Sequence, residues 1–300
     1  MTLSFAHSGE FFSALSALVW AFAVILYRKS GEHVSPVALN LFKNSIALVL
    51  FLLTLVIVGV PFVSGNQPVW DWTVLLLSGV LGIGIADSVF FASLNRLGAG
   101  RSAIVDCLYS VFVILTSFVY LHEPIGITLL FALLFIVAGI MIGTWKPARI
   151  DSKPELQQIR YGILLGIVAM FLMAVGIVMA KPIISTTNPW WACLVRLLGG
   201  MLLLLIQVAF KRDRSDIVKC FKPGPIWKFT VPSAVVGTYF ATFFWVVGMK
   251  FTFATVASVF NQLSTIFVLV LATFFLKEPL TGRKTVAIIL GFTGGIIAAF

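Results

Sequence analysis

The sequence predicts an all-α integral membrane protein with ten transmembrane helices in two five-helix inverted repeats. Three observations carry that prediction. Of 300 residues, 60% are hydrophobic and only 11% charged, against roughly 25% charged in a soluble domain. Apolar runs of membrane-spanning length follow one another with short polar breaks. The second half of the chain also repeats landmarks of the first.

The apolar runs fall near residues 6–27, 36–58, 72–94, 99–120, 125–144, 161–181, 189–210, 228–249, 254–276 and 281–299. Each approaches the ~20 residues that cross a bilayer core. The first run continues to Leu26 with no basic segment before it, which reads as a retained helix and not as a cleaved signal. Pro36, Pro124, Pro189 and Pro279 stand at run starts, where a missing N–H breaks no internal hydrogen bond. Gly65-Asn66-Gln67-Pro68 and Lys222-Pro223-Gly224-Pro225 separate other runs. The longest interior hydrophilic stretches, near 145–160 and 211–227, are too short for a soluble catalytic domain. Because backbone polar groups must bond internally in lipid, such a chain folds as a helical bundle. Mean hydropathy of +1.08, with 28 Phe and 24 Gly, suits lipid-facing, closely packed helices.

The repeat emerges when Glu123 is placed over Glu278, an offset of 155 residues. Pro124 then falls on Pro279, Leu121 on Leu276, Phe112 on Phe267, Gly139 on Gly294, Gly82 on Gly237 and Trp72 on Trp227. Shifting the offset by two pairs Pro36 with Pro189 and Lys43 with Arg196. The expected units are residues 1–145 and 161–300, joined by 146–160. Five helices per unit send the second unit into the membrane from the opposite side, an arrangement typical of secondary transporters with a midplane site.

The net charge of +10 forms no basic stripe of the kind that binds nucleic acid. Seventeen of the 21 Lys and Arg lie in the loops after the odd-numbered runs, and only Lys181 and Lys250 on the opposite side. That bias places the richer side in the cytoplasm and both termini outside. Cys107, Cys193 and Cys220 are dispersed thiols, and His7, His33 and His122 form no metal-binding or H-E-x-x-H set. No cofactor or metal is expected. No phosphate-binding G-x-x-x-x-G-K-[ST] occurs either, which disfavours a nucleotide-driven pump.

The doubled layout, the junctions Leu121-His122-Glu123-Pro124 and Leu276-Lys277-Glu278-Pro279, Trp20 in the first helix, and one base in the second helix of each unit resemble the drug/metabolite transporter superfamily, in particular its EamA-type ten-helix members. The resemblance implies a non-enzymatic carrier of small organic solutes in the inner (plasma) membrane, with export as the expected direction. It also implies cytoplasmic termini, against the charge bias. The wider superfamily adds a sugar-phosphate or nucleotide-sugar exchanger as an alternative, and a non-transport assembly protein is the other. Solute, bilayer and coupling protons are the expected partners, and the chain is either a monomer or a homodimer.

Four charges lie well inside apolar runs: Lys43, Asp87, Asp106 and Arg196. Intramembrane charge costs about 2.5–3.5 kcal/mol per residue even on lenient scales, so these side chains should face the interior. Asn40, Lys43 and Asn44 share one helical face, as do Asp106, Tyr109, Ser102 and Ser110. Asn261, followed by Gln262, is the counterpart of Asp106. Either the two bases clamp an anionic group, or Lys43 neutralises Asp87 or Asp106 and the acid takes up a proton when its partner leaves. Trp20, Tyr239 and Trp245 are candidate cavity walls. Glu123-Pro124 and Glu278-Pro279 read as caps of the helices that follow them.

Overall fold

A computed structural model describes residues 7–31, 34–62, 67–144, 153–210, 214–275 and 281–299. Every regular element among them is helical. Helix α1 is Ser8–Gly31 and α2 is Pro36–Val58. Next, α3 (Val69–Gly79) passes through a π-helical segment, Val80–Ala86, into α4 (Asp87–Asp106). Helices α5 (Leu108–Tyr120), α6 (Ile127–Thr144), α7 (Lys153–Thr186), α8 (Pro189–Phe210) and the short α9 (Ser215–Phe221) follow. Helix α10 (Trp227–Ser233) runs through a second π-helical segment, Ala234–Ala241, into α11 (Thr242–Phe251). The chain closes with α12 (Ala254–Asn261), α13 (Leu263–Phe275) and α14 (Gly282–Ala299).

Local chemistry sets several boundaries. Pro36 opens α2 after an extended Ser35, and Gly59 closes it in the left-handed region at φ 71°, its N–H donating to Val56 O. His122 also has positive φ, 55°, and ends the chain's helical course before Pro124.

The structure corrects the expected ten membrane-spanning helices in two five-helix repeats. Among the described residues, six helices are long and apolar enough to cross a membrane: Ser8–Tyr27, Pro36–Val58, Val69–Leu97, Leu156–Thr186, Pro189–Phe210 and Trp227–Phe251. Other apolar runs form shorter helices, such as Ile104–Tyr120, Ile127–Ile142 and Ala254–Val268. Hydropathy counts apolar residues but not helix breaks. Near 99–120 the helix is interrupted at Cys107, and near 254–276 at Gln262. The halves also differ from each other. Helix α4 runs unbroken through 96–100, whereas the second half stops at Phe251, extends at Thr252 (φ −137°, ψ 173°) and restarts at Ala254. Even so, α5 and α13 both begin and end at the 155-residue offset, as do α6 and α14.

Close helix crossings depend on small residues. A Cβ on Gly79 would lie 1.7 Å from the Arg196 carbonyl oxygen, and one on Gly199 would lie 2.1 Å from that of Leu76. Helices α3 and α8 therefore touch backbone to backbone. Gly139 and Gly294 do the same for α6 and α14, each facing a backbone carbonyl of the other helix. The main core gathers Phe51, Leu75, Ile177, Leu194 and Met249, all fully or almost fully buried. Outward-facing side chains such as Val56, Ile57, Leu134 and Ile289 are apolar too. That surface matches a hydrocarbon solvent.

Candidate functional site

A cavity of about 200 Å³ lies where α1, α2, α4, α7, α8, α11 and the α12–α13 break meet. Lys43, Asn44, Asp87, Asp106, Tyr109, Arg196, Asn261, Gln262 and Trp20 all line it. Asn40 and Tyr239 are absent from its walls. Asn40 stands behind Asn44, and Tyr239 behind Phe51 at 4.7 Å between ring centroids, its hydroxyl 2.6 Å from Thr54 Oγ1.

Lys43 is 2% exposed and its Nζ lies 2.7 Å from Asp87 Oδ2. This is the one ion pair among the described residues. A buried cation needs both a counter-charge and satisfied hydrogen bonds. Here Lys43 Nζ also donates to Asn44 Oδ1 at 3.3 Å, and Asn44 Nδ2 to Asn40 Oδ1 at 2.9 Å. Asn40 Nδ2 in turn donates to Ile83 O (3.0 Å) and Ser88 Oγ (3.1 Å). The relay thus ends on a carbonyl of the first π-helical segment. Such segments shift helical register by a residue and recur at functional sites. This one delivers Asp87, its very next residue, to Lys43.

Arg196, 3% exposed, has a different environment. Its Nε donates to Ser78 Oγ at 2.9 Å, and Ser78 Oγ donates to Gly176 O. The guanidinium carbon sits 5.3 Å from the Trp245 ring centroid, a cation–π contact. No carboxylate forms an ion pair with Arg196 among the described residues. The two bases therefore do not form a symmetric clamp, because Lys43 is already paired.

Asp106 ends α4, and Gln262 Nε2 reaches across to its backbone carbonyl at 3.1 Å. The α12–α13 break is thereby tied to the α4–α5 break. Ser110 Oγ ties the same elements by donating to Ser258 O at 2.7 Å. No hydrogen bond or ion pair among the described residues reaches the Asp106 carboxylate.

Glu123 caps a helix, but not the one that follows it. Its carboxylate accepts from Ala254 N (2.8 Å) and Thr255 N (3.0 Å), the first turn of α12 in the other half. The positive φ of His122 turns the chain out of α5 and carries Glu123 there. Pro124 is exposed beside it. Glu278, Pro279 and His33 lie outside the described residues.

Sequence reasoning missed Ser78, which holds Arg196, and Ser88, which helps hold Asn40. Met170, Met173 and Thr265 also line the cavity without having been singled out. Ser78 precedes Gly79 within a glycine-rich stretch, and that stretch was the available sign of a close helix contact. Among the described residues, no group of three or more His, Cys, Asp or Glu is placed to hold a metal ion.

Comparison with known proteins matches this architecture to one family. The profile of the EamA-like transporter family matches twice, over residues 7–145 and 160–300. Protein PecM of Dickeya dadantii is 26% identical over 234 residues, covering 76% of this chain and 73% of that protein. An uncharacterized transporter of Archaeoglobus fulgidus is 25% identical over 290 residues, covering 89% and 97% of the two chains. A solved crystal structure superposes with a TM-score of 0.78 at 17% identity, over 98% of this chain and 96% of that one, which establishes the shared fold. The chain belongs to the EamA-like transporter family of the drug/metabolite transporter superfamily: it is a multi-pass, non-catalytic secondary carrier of a small molecule in the inner or plasma membrane.

Proposed function

We propose that this carrier exports a small, amino-acid-like zwitterion by alternating access around the central cavity. The observation that carries the reading is the coexistence, in one space of about 200 Å³, of a cation without an anionic partner (Arg196), a carboxylate without a cationic one (Asp106) and aromatic walls. A volume below the roughly 300–1,000 Å³ of drug-sized pockets favours a small solute. Residues 1–145 and 161–300 act in this reading as two related units, linked by 146–160, that rock about the cavity.

Proton coupling belongs to the same proposal. Asp87 and Asp106 are the intramembrane acids able to hold a transported proton, Asp87 while its bond to Lys43 is open. Flux that follows an imposed pH gradient in proteoliposomes, and loses that dependence in Asp106→Asn or Asp87→Asn, supports it. Flux equally fast and equally gradient-dependent in both variants would falsify it.

The test of transport itself compares metabolites inside and outside cells expressing the intact chain, the double variant Asp106→Asn/Lys43→Ala, or an empty vector. One or more amino-acid-like solutes should accumulate outside only with the intact chain. No difference across a broad panel, with the protein verified in the membrane, would count against export. A sugar phosphate or nucleotide sugar moving in exchange would favour the alternative substrate class.

A further inference from the structure

We propose that Arg196, Tyr109 and Trp245 form a carboxylate seat in the cavity, so that the solute is held by its acid group there and by its amine at Asp106. This assignment rests on the transport reading above. Two buried donors carry it. The Tyr109 hydroxyl and the Trp245 indole N–H are shielded from solvent and approach each other, but neither makes a well-formed hydrogen bond among the described residues. Tyr109 is only 6% exposed. Buried donors left unpaired are expensive in a folded protein, and an orphan at a cavity calls for an acceptor that the protein itself does not supply.

The two orphans lie together and beside a charge. Arg196, Tyr109 and Trp245 all line the same cavity, and the guanidinium stacks on the Trp245 ring. Ser78 holds the Nε edge, and Gly82 leaves the Nη2 side open, since even a Cβ there would stand 3.6 Å from Nη2. The guanidinium is thus fixed on one edge and stacked on one face. Its remaining N–H groups form no other hydrogen bond among the described residues. An anionic oxygen pair at that edge would accept from Arg196, Tyr109 and Trp245 together, in the charge-assisted geometry that arginine favours.

The charge count selects a carboxylate over a phosphate. A dianion calls for a second base, and the other base lining the cavity, Lys43, is neutralised by Asp87 at 2.7 Å. Asp106, three residues before Tyr109 on the same stripe, would repel a dianion but attract an ammonium group. One unneutralised cation and one unneutralised anion lining the same cavity match an α-amino acid.

The experiment uses purified full-length protein in lipid nanodiscs, with ligand-induced thermal stabilisation titrated as the readout. Probes are the natural amino acids, each beside its C-terminal amide and its deaminated acid. At least one amino acid should bind tenfold or more tightly than its amide, the loss expected when a charge-assisted contact is removed. Tyr109→Phe and Trp245→Phe, which delete the donors but keep aromatic rings, should each shrink that acid-over-amide preference several-fold, and Arg196→Gln should abolish it. Three results would overturn the seat: amides binding as well as acids, both Phe variants keeping the full preference, or no carboxylate-bearing probe binding at all. Any of these, with export of some solute by the intact chain still detectable in cells, refutes the seat while transport stands. Absence of export for every solute class would refute the transport reading instead.

Discussion

Lys43 and Arg196 occupy matching places in α2 and α8, and both are almost fully buried, yet the molecule treats them in opposite ways. The first is bonded to Asp87 and to a chain of asparagines that ends on a π-helical carbonyl. The second is steadied by a serine hydroxyl and an indole ring, neither of which cancels its charge. The acids diverge in parallel, because Asp106 corresponds to the neutral Asn261. The two halves thus each place a base at the cavity, one neutralised and one available. Such asymmetry suits a solute with distinct ends better than one with two alike.

The largest effect should come from breaking the neutralised side. Removing one member of a buried ion pair strands the other charge, which typically costs about 3–5 kcal/mol. Lys43→Ala should therefore sharply lower the thermal stability of the purified protein, with Asp87→Ala close behind. The double variant should recover much of the loss, because no charge is left stranded. A loss in the double variant equal to the sum of the two single losses would mean that Asp87 is stabilised by solvent and not by Lys43.

Next in size is a steric test of the other side. Gly79→Ala puts a methyl group 1.7 Å from the Arg196 carbonyl oxygen, so α3 and α8 must separate. Overpacking of this kind costs about 1–3 kcal/mol, and Arg196 should move away from the cavity with its helix. Gly82→Ala is the control on the same helix, since its nearest neighbour would be Arg196 Nη2 at 3.6 Å, an ordinary contact. The expected result is a lower melting temperature for Gly79→Ala and a nearly unchanged one for Gly82→Ala.

A smaller loss is expected at the contact that joins the two halves. Glu123→Gln keeps an acceptor for α12 but removes its charge and one of two acceptor oxygens, for a cost of about 1 kcal/mol. Glu123→Ala should cost about twice that. Hydrogen exchange at Ala254 and Thr255 should accelerate in both variants, and more in the second.

These contrasts also show how much was legible in the sequence. Hydropathy and the 155-residue offset revealed a helical membrane protein and the four charges that line the cavity. They did not reveal the helix breaks at Cys107 and Gln262, since an apolar run reads the same whether or not its hydrogen bonds continue. Nor could they reveal the π-helical segments. The residues flanking these segments, such as Gly79 (φ −67°, ψ −42°) and Asp87 (φ −60°, ψ −41°), keep ordinary helical dihedrals. The change lies in which carbonyl each N–H meets, and no single residue type encodes that. Partnerships such as Ser78 with Arg196, or Glu123 with Ala254, span more than a hundred residues and depend on the tertiary fold.

The smallest prediction isolates how the unneutralised base is held. Ser78→Ala removes the hydroxyl that accepts from Arg196 Nε, along with that hydroxyl's own bond to Gly176 O, and changes almost no volume. A buried hydrogen bond of this kind is worth about 1 kcal/mol net, so the fold should persist with a modest fall in melting temperature. The consequence for ligand binding should exceed that fall. Once Nε is released, the guanidinium can rotate on Trp245, and a bidentate grip on an anionic group depends on fixed orientation. Solute affinity in Ser78→Ala should therefore drop several-fold below that of the intact chain. An unchanged affinity would show that stacking on Trp245 alone orients Arg196, and that the hydroxyl merely fills the α3–α8 crossing.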